Sequence, residues 1–142
     1  MSYTAASVQI GVIARLRGDV ILQGMLGSAP PGWNIFDADG IPVNQPFPYI
    51  VTFPILNQKG EAFAFGTDAM DTFQQVSTFT KSQGFAQARS IAGRIYALFD
   101  QKALDRSSDG FNQYKLLFDQ DQEIGDGIVQ HIPMRFKICT QG

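Results

Sequence analysis

The hydrophobic period changes inside residues 73–99, from two to about 3.6, on either side of the hinge Ser82-Gln83-Gly84. Ahead of the hinge, Phe73, Gln75, Ser77 and Phe79 share one side of an extended segment and Gln74, Val76 and Thr78 the other, which predicts a half-buried strand over 72–80. Beyond it, Ala88, Ile91, Ala92, Ile95, Leu98 and Phe99 recur at i, i+3, i+4 and i+7, with Gln87, Ser90, Arg94 and Gln101 opposite. A helix with one dry and one wet face is suited to covering a sheet.

Residues 4–26 read as one long helix, with Ser2 or Thr4 as N-cap and Gly27 where a left-handed C-cap would fall. Val8, Val12, Ile13, Leu16 and Val20 form its apolar face and Ile10 and Ile21 widen it, leaving Ser7, Gly11, Arg15 and Gly18 as a narrow opposite edge. Such breadth predicts either deep burial or a sheet on one side and a neighbouring subunit on the other. Pro30 and Pro31 end the helix. A short strand at Trp33–Phe36, a proline-bearing loop over 37–48 and an alternating strand at Tyr49–Leu56 follow, with an edge or bulge expected at Pro54.

Asn57-Gln58-Lys59-Gly60 is a turn signal, so Glu61–Phe65 is expected to return as the second arm of a hairpin, with Phe63 and Phe65 on one face. After the second helix, a polar loop at 105–110 leads to a strand at Gln113–Phe118 and an acidic turn region at Asp119–Gly127. In the last strand Ile128, Ile132, Met134, Phe136 and Ile138 alternate with Val129, His131, Arg135 and Lys137. The plan is a single α+β domain over 1–142: a mostly antiparallel sheet of about four strands, two helices on one face and an extra β-hairpin. No repeat or low-complexity linker divides it.

Bulk composition narrows the classes of function. A chain of 142 residues, 44% hydrophobic and 17% charged, is long enough for one core. The formal charge of -2, with no Lys/Arg run, argues against a protein built to grip phosphate backbones. No stretch approaches the roughly 18 apolar residues of a membrane span, and no basic start precedes an apolar run, so synthesis in the cytosol without a signal peptide is expected. Cys139 is the only cysteine, which excludes an internal disulfide framework. Twelve Phe and four Tyr are a heavy aromatic load, and some are expected to await a partner surface.

Candidate chemistry is sparse. His131, the only histidine, sits mid-strand on the row of Arg135 and Lys137, whose charges would lower its pKa, and it reads as a surface histidine without a catalytic role. Asp119–Asp126 resembles the start of a calcium loop, but Ile124 stands where the turn glycine belongs, Gly125 falls one place late, and the twelfth position is Gln130. A solvated acidic hairpin turn is the reading that remains. One Cys and one His cannot complete a structural zinc site, and no Gly-rich phosphate loop is present. Arg15, Arg17, Arg89 and Arg94 read as wet-face charges rather than a nucleic-acid surface. No catalytic residue, metal or cofactor is assigned, and no enzymatic activity is expected.

What remains is surface. Phe63 and Phe65, Phe47 in the 37–48 loop, and the excess breadth of the first helix have no evident internal partner, and buried aromatics anchor interfaces. With Arg15 and Arg94 on the two helices they form the candidate interface set; for Phe63 and Phe65, folding back on their own sheet stays open as the alternative.

The apolar helix ending near Gly27, the strand Trp33-Asn34-Ile35-Phe36 and the segment Phe47-Pro48-Tyr49-Ile50-Val51 form one part of a larger pattern. The joint Phe79-Thr80-Lys81-Ser82-Gln83-Gly84 into Ala88–Ile95, and Phe118-Asp119 ahead of the strand from Gly127 to Ile138, complete it. Together they resemble the tail completion or tail terminator proteins of long-tailed bacteriophages over nearly the whole chain, with departures at 57–71 and 105–112. The resemblance implies a virion subunit that forms a ring, a hexamer, at the head-proximal end of the tail tube. Such a ring would stop tube growth, meet the tail tube protein and a head-completion or stopper protein, and let genomic DNA through its lumen without specific binding or any membrane contact. Another neck or head-completion ring component is the nearest alternative. A small enzyme or ligand-binding domain, with a pocket around Trp33 and Tyr49, is the reading from a different class.

Changing Phe63 and Phe65 together to Ser separates their two readings. As interface residues they should leave the melting temperature of the isolated subunit nearly unchanged while assembly is impaired; a large fall in melting temperature would place both rings in the core.

Overall fold

The computed structural model of the protein describes residues 4–27, 34–37, 46–59, 69–81, 85–100, 102, 113–126 and 129–141. In chain order its elements are α1 (Thr4–Gly18), α2 (Val20–Leu26), β1 (Ile35–Asp37), β2 (Tyr49–Lys59), β3 (Ala69–Lys81), α3 (Ala86–Phe99), β4 (Gln113–Asp121), β5 (Ile124–Asp126) and β6 (Val129–Gln141). The strands form one sheet in the order β1-β2-β3-β6-β4, with β5 also on β6. The β1–β2 pair is parallel and every other pair antiparallel, so the α+β class holds while the sheet is mixed and larger than the expected four strands. The short β5 continues the line of β4: Asp121 lies opposite Met134 and Ile124 opposite His131. The interruption at Gln122-Glu123 falls beside Pro133, which has no N–H to offer a ladder.

Helices cover one face. Val8, Val12 and Leu16 of α1, Leu22 and Leu26 of α2, and Ile91, Ile95 and Phe99 of α3 close over Ile50, Val76, Ile132, Met134, Phe136 and Ile138 of the strands. The period-3.6 stripe of α3 and the period-2 row of β6 are buried as their spacing predicts, except that Leu98 is half-buried and Ile128 lies outside the described residues.

The expected helix over 4–26 is two helices. Asp19 leaves the helical region (φ -91°, ψ 114°), and its carboxylate Oδ2 accepts from the Leu22 N–H at 2.9 Å, which makes it the N-cap of α2. The break re-phases the chain, so Leu22 turns inward and Val20, expected beside Leu16, turns out. Gly11, expected on the narrow polar edge, is buried. At the far end Gly27 takes the left-handed C-cap (φ 64°) that its position predicts. Asp19 also accepts both arms of the Arg94 guanidinium, at 2.8 Å and 2.7 Å, which ties the start of α2 to the side of α3.

Three strand boundaries also differ. Asn34, expected inside a strand, adopts a left-handed conformation (φ 39°), and β1 starts after it. Its side-chain amide donates to the carbonyls of Leu26 at 3.3 Å and Pro48 at 3.2 Å, while its own carbonyl accepts from Ile50 N–H at 2.8 Å. Asn is among the few side chains that tolerate this region, and here it stitches three chain segments. The turn signal at Asn57-Gln58-Lys59 is overridden, because these residues extend β2 opposite Thr72, Asp71 and Met70. The expected return arm Glu61–Phe65, with Phe63 and Phe65, lies outside the described residues. The acidic turn region is mostly strand, as β4 runs to Asp121 and β5 resumes at Ile124. The irregularity expected at Pro54 is present as a register shift between Pro54 and Leu56.

The helix-facing side of β3 is polar. Thr72, Gln74, Thr78 and Thr80 are buried around Val76, whereas Phe73 and Phe79 face the other way and are half-buried. Much of this polarity is hydrogen-bonded. Gln74 Nε2 donates to Thr52 Oγ1 at 2.8 Å and to the side-chain carbonyl of Gln9, whose own Nε2 donates to the Thr52 carbonyl at 2.8 Å. Thr80 Oγ1 donates to Gln130 Oε1 at 3.2 Å. The glutamine–threonine cluster anchors α1 on β2 and β3 in a fixed register, since a slipped pairing would strand buried amides without partners.

The double role of Asp19 sets two expectations. Replacement by Ala should cost about 2 kcal/mol, from the lost cap and a stranded Arg94, and Asn, which can still cap, should cost about half as much. The Arg94 guanidinium holds the Asp19 carboxyl below the usual carboxylate range. Its contribution is therefore complete above the unfolded carboxylate pKa of about 4 and is lost as pH falls through the lower folded value. Chemical denaturation of wild type and Asp19→Asn across that acid window checks this, and the gap between the two curves should narrow as pH falls.

Candidate assembly surfaces

A row of rings crosses the sheet face that the helices leave uncovered. Register places Tyr49 opposite Phe79 and Phe79 opposite His131. Accordingly Phe79 stacks on His131 at 4.2 Å and on Tyr49 at 5.1 Å, while Phe47 lies 5.1 Å and Phe36 6.5 Å from the Tyr49 ring. Phe47, a candidate interface residue, is thus half-buried as a flank of this row. His131 is not the plain surface histidine its strand position implied. It is half-buried in the stack, its Nε2 has no hydrogen-bond partner, and burial rather than the neighbouring cations lowers its pKa. Arg135 instead lies over the Phe73 ring at 5.2 Å.

The four arginines expected on wet faces are each bonded within the subunit. Arg94 grips Asp19, and Arg89 holds Glu123 through a two-armed pair whose Nη2–Oε2 distance is 2.8 Å. Arg17 Nη2 donates to the Ile35 carbonyl at 2.7 Å. Arg15 donates to the Leu98 carbonyl at 3.4 Å with its guanidinium 5.8 Å from the Phe99 ring, and burial lowers its pKa. Among the described residues the acidic stretch carries one ion pair, Glu123 with Arg89, across to α3. Among the described residues no three of His, Cys, Asp and Glu stand close enough to hold a metal ion. Among them, too, no helix is long and apolar enough to cross a membrane.

Apolar side chains reach solvent in two regions of the helical layer. The first is α1–α2, where Val20 is 78% exposed, Ile10 55% and Ile21 54%, with Met25 beside them. These include the residues that made the first helix too broad, and the broken helix leaves them outside. Beneath Ile10 a cleft of ≈ 530 Å³ runs between α1 and the β1 edge, lined by Gln9, Ile13, Ala14, Arg17 and Asp37. The second region is a cleft of ≈ 330 Å³ between α3 and the β4–β5 edge, floored by Ala92, Gly93, Phe118 and Met134 and walled by Tyr96, Arg89 and Glu123. Tyr96 is held by a hydrogen bond to Asp100, which in turn accepts from the Phe118 N–H at 2.9 Å. Sequence reasoning missed this cleft.

The stacked His131 gives a titration. Burial favours the neutral ring, so the folded pKa lies below the unfolded value of about 6.5 and stability falls as pH drops through that value toward the lower one. Proton NMR should show His131 titrating below 6.5, and His131→Phe should remove this part of the pH dependence; a midpoint at or above 6.5 would contradict the stacked geometry.

The fold has relatives among solved structures. A chain of the virion of a native gene transfer agent (GTA) particle superposes with a TM-score of 0.75 at 20% identity, covering 99% of this chain and 100% of that one. The bacteriophage SPP1 gp17 protein superposes with a TM-score of 0.59 at 18% identity, covering 95% of this chain and 89% of that one. At such identities the likeness is one of fold. No curated protein matches the chain in sequence. The family model described as Tail completion protein gp17 matches residues 11–141, and the chain belongs to that family.

Proposed function

We propose that this protein, a structural component of a phage virion by its family, forms a closed ring at the head-proximal end of the tail tube, stops tube growth and presents the surface that receives the head-completion proteins. The observation that carries the reading is the set of apolar side chains on α1–α2 that stay in solvent, outside the buried core. A tube grows by head-to-tail contacts that never close, so its end needs a subunit whose own contacts do close and whose far face differs from the tube's. A ring of six would suit a tube of matching symmetry. The formal charge of -2 gives no net positive field to arrest DNA moving through the lumen. Arg15 and Arg94, bonded within the subunit, would support such a ring by fixing α1 and α2 against α3. Phe47 would act through the aromatic row it completes.

Adding the purified protein to polymerising tail tube subunits tests the reading by electron microscopy. Elongation should stop and one end of each tube should carry a ring. Tubes that lengthen at the same rate with bare ends would overturn it, and a ring that forms without touching the tube would move the protein to another level of the neck.

A further inference from the structure

The ring reading leaves open which surfaces meet. We propose that the outer side of α1–α2, led by Ile10, Val20 and Ile21, packs on the helix-free sheet face of a second copy of this chain, over the row Tyr49, Phe79, His131 and Ile124, head to tail; the proposal rests on the ring reading. A ring of more than two copies needs two different surfaces on each subunit. A two-layer fold offers them back to back, because the outer side of its helices and the free side of its sheet point in opposite directions. In α1, Ile10 stands two residues from Val8 and from Val12, about 200° round the helix from those buried positions. Gly24 stands likewise between the buried Leu22 and Leu26 of α2, with Val20 and Ile21 one turn before it. The side turned away from the sheet is therefore apolar. With Met25 these residues expose on the order of 400 Å², which matches the apolar share of the ~800 Å² that each partner gives to a stable interface.

The sheet side matches it. An antiparallel sheet covered on one face commonly turns a polar face to water. Here register carries Tyr49, Phe79, His131 and Ile124 across β2, β3, β6 and β5 in one line on the face away from the helices. The next line on that face is Phe36, Val51, Ser77 and Pro133. Ile124 is exposed, the rings of Phe36, Tyr49, Phe79 and His131 are half-buried, and Val51 and Ser77 are buried. Neither line holds an Asp, Glu, Lys or Arg; Lys81 lies beyond the first and Arg135 beyond the second. On the helix side the nearest charges are engaged within the subunit, Asp19 by Arg94 and Arg17 by the Ile35 carbonyl. The two surfaces can thus meet without burying an unpaired charge at their centre. A Cβ added at Gly24 meets nothing within 4 Å, so the α2 backbone can come close to a flat layer of rings. Once docked, each sheet has helices on both faces, its own on one and its neighbour's on the other.

Sedimentation velocity on the full chain tests the pairing, with Val20→Glu blocking the helix side and Ile124→Lys blocking the sheet side. Both positions are exposed, and an acidic residue suits the start of a helix, so both variants should fold. Ile21→Lys replaces the first if it loses its melting transition. Wild type should self-associate, and each variant alone should do so at least tenfold more weakly. An equimolar mixture of the two should give a dimer and nothing larger, since one intact helix side and one intact sheet face remain between them. Proton NMR supplies a readout that needs no sheet variant: the His131 ring resonances should move with protein concentration in wild type and stay fixed in Val20→Glu. An Ile124→Lys variant that associates like wild type, a mixture that stays monomeric, or His131 signals that stay fixed while wild type associates overturns the docking and leaves the ring reading intact. Wild type that stays monomeric to millimolar concentration overturns both.

Discussion

One carboxylate decides how the helical layer is built. Asp19 interrupts what would otherwise be a continuous helix, caps the piece that follows and takes both arms of Arg94 from α3. The charge is largely buried, and it is acceptable there because a guanidinium and a backbone N–H satisfy it together. Everything on the outer side of α2 follows from that point. The re-phased helix turns Leu22 and Leu26 into the core and leaves Val20, Ile21 and Met25 facing out. Without the clamp the same residues could continue α1 in register, and Val20 would follow Leu16 inward.

A second constraint acts across the sheet. The central strand β3 offers its threonines and Gln74 to the helices and its phenylalanines to the opposite face, which reverses the usual arrangement for a strand under a helix. The inversion is tolerable because Gln9, Thr52, Gln74, Thr80 and Gln130 find one another. Of these, Phe79 stacks with His131 and Tyr49 along one row, while Phe73 lies under Arg135. Each face therefore has its own source of cohesion, and the exposed apolar residues of α1–α2 lie outside both.

Where periodicity was the only requirement, the sequence was readable. The stripe of α3, the alternation of β6 and the cap at Gly27 all follow from spacing and residue type. The break at Asp19 was not, because Val8, Val12, Leu16 and Val20 keep an unbroken i, i+4 pattern through it and the partner that stabilises the break lies far off in α3. Local turn chemistry misled at Asn57-Gln58-Lys59, where pairing with β3 prevails over turn preference. It misled again in the acidic stretch, where β6 recruits residues that alone would favour a turn. As for surfaces, the breadth of the first helix announced Ile10 and Ile21, whereas the α3 cleft exists only once β4 and α3 are assembled and left no mark in the sequence.

The placement of β6 has a kinetic consequence. It lies between β3 and the β4–β5 edge, meeting Lys81 with Val129 at one end and Ala69 with Gln141 at the other, so the two halves of the sheet are joined only by contacts distant along the chain. Closing such separations costs entropy before any contact repays it, and folding dominated by them is slow and cooperative. Until β6 is inserted, β4 and β5 have no neighbour to hold them, and the wall they form beside α3 is missing. An incompletely folded subunit would thus present an unpaired β3 edge and no cleft beside α3, so the sheet and that surface are completed in one event.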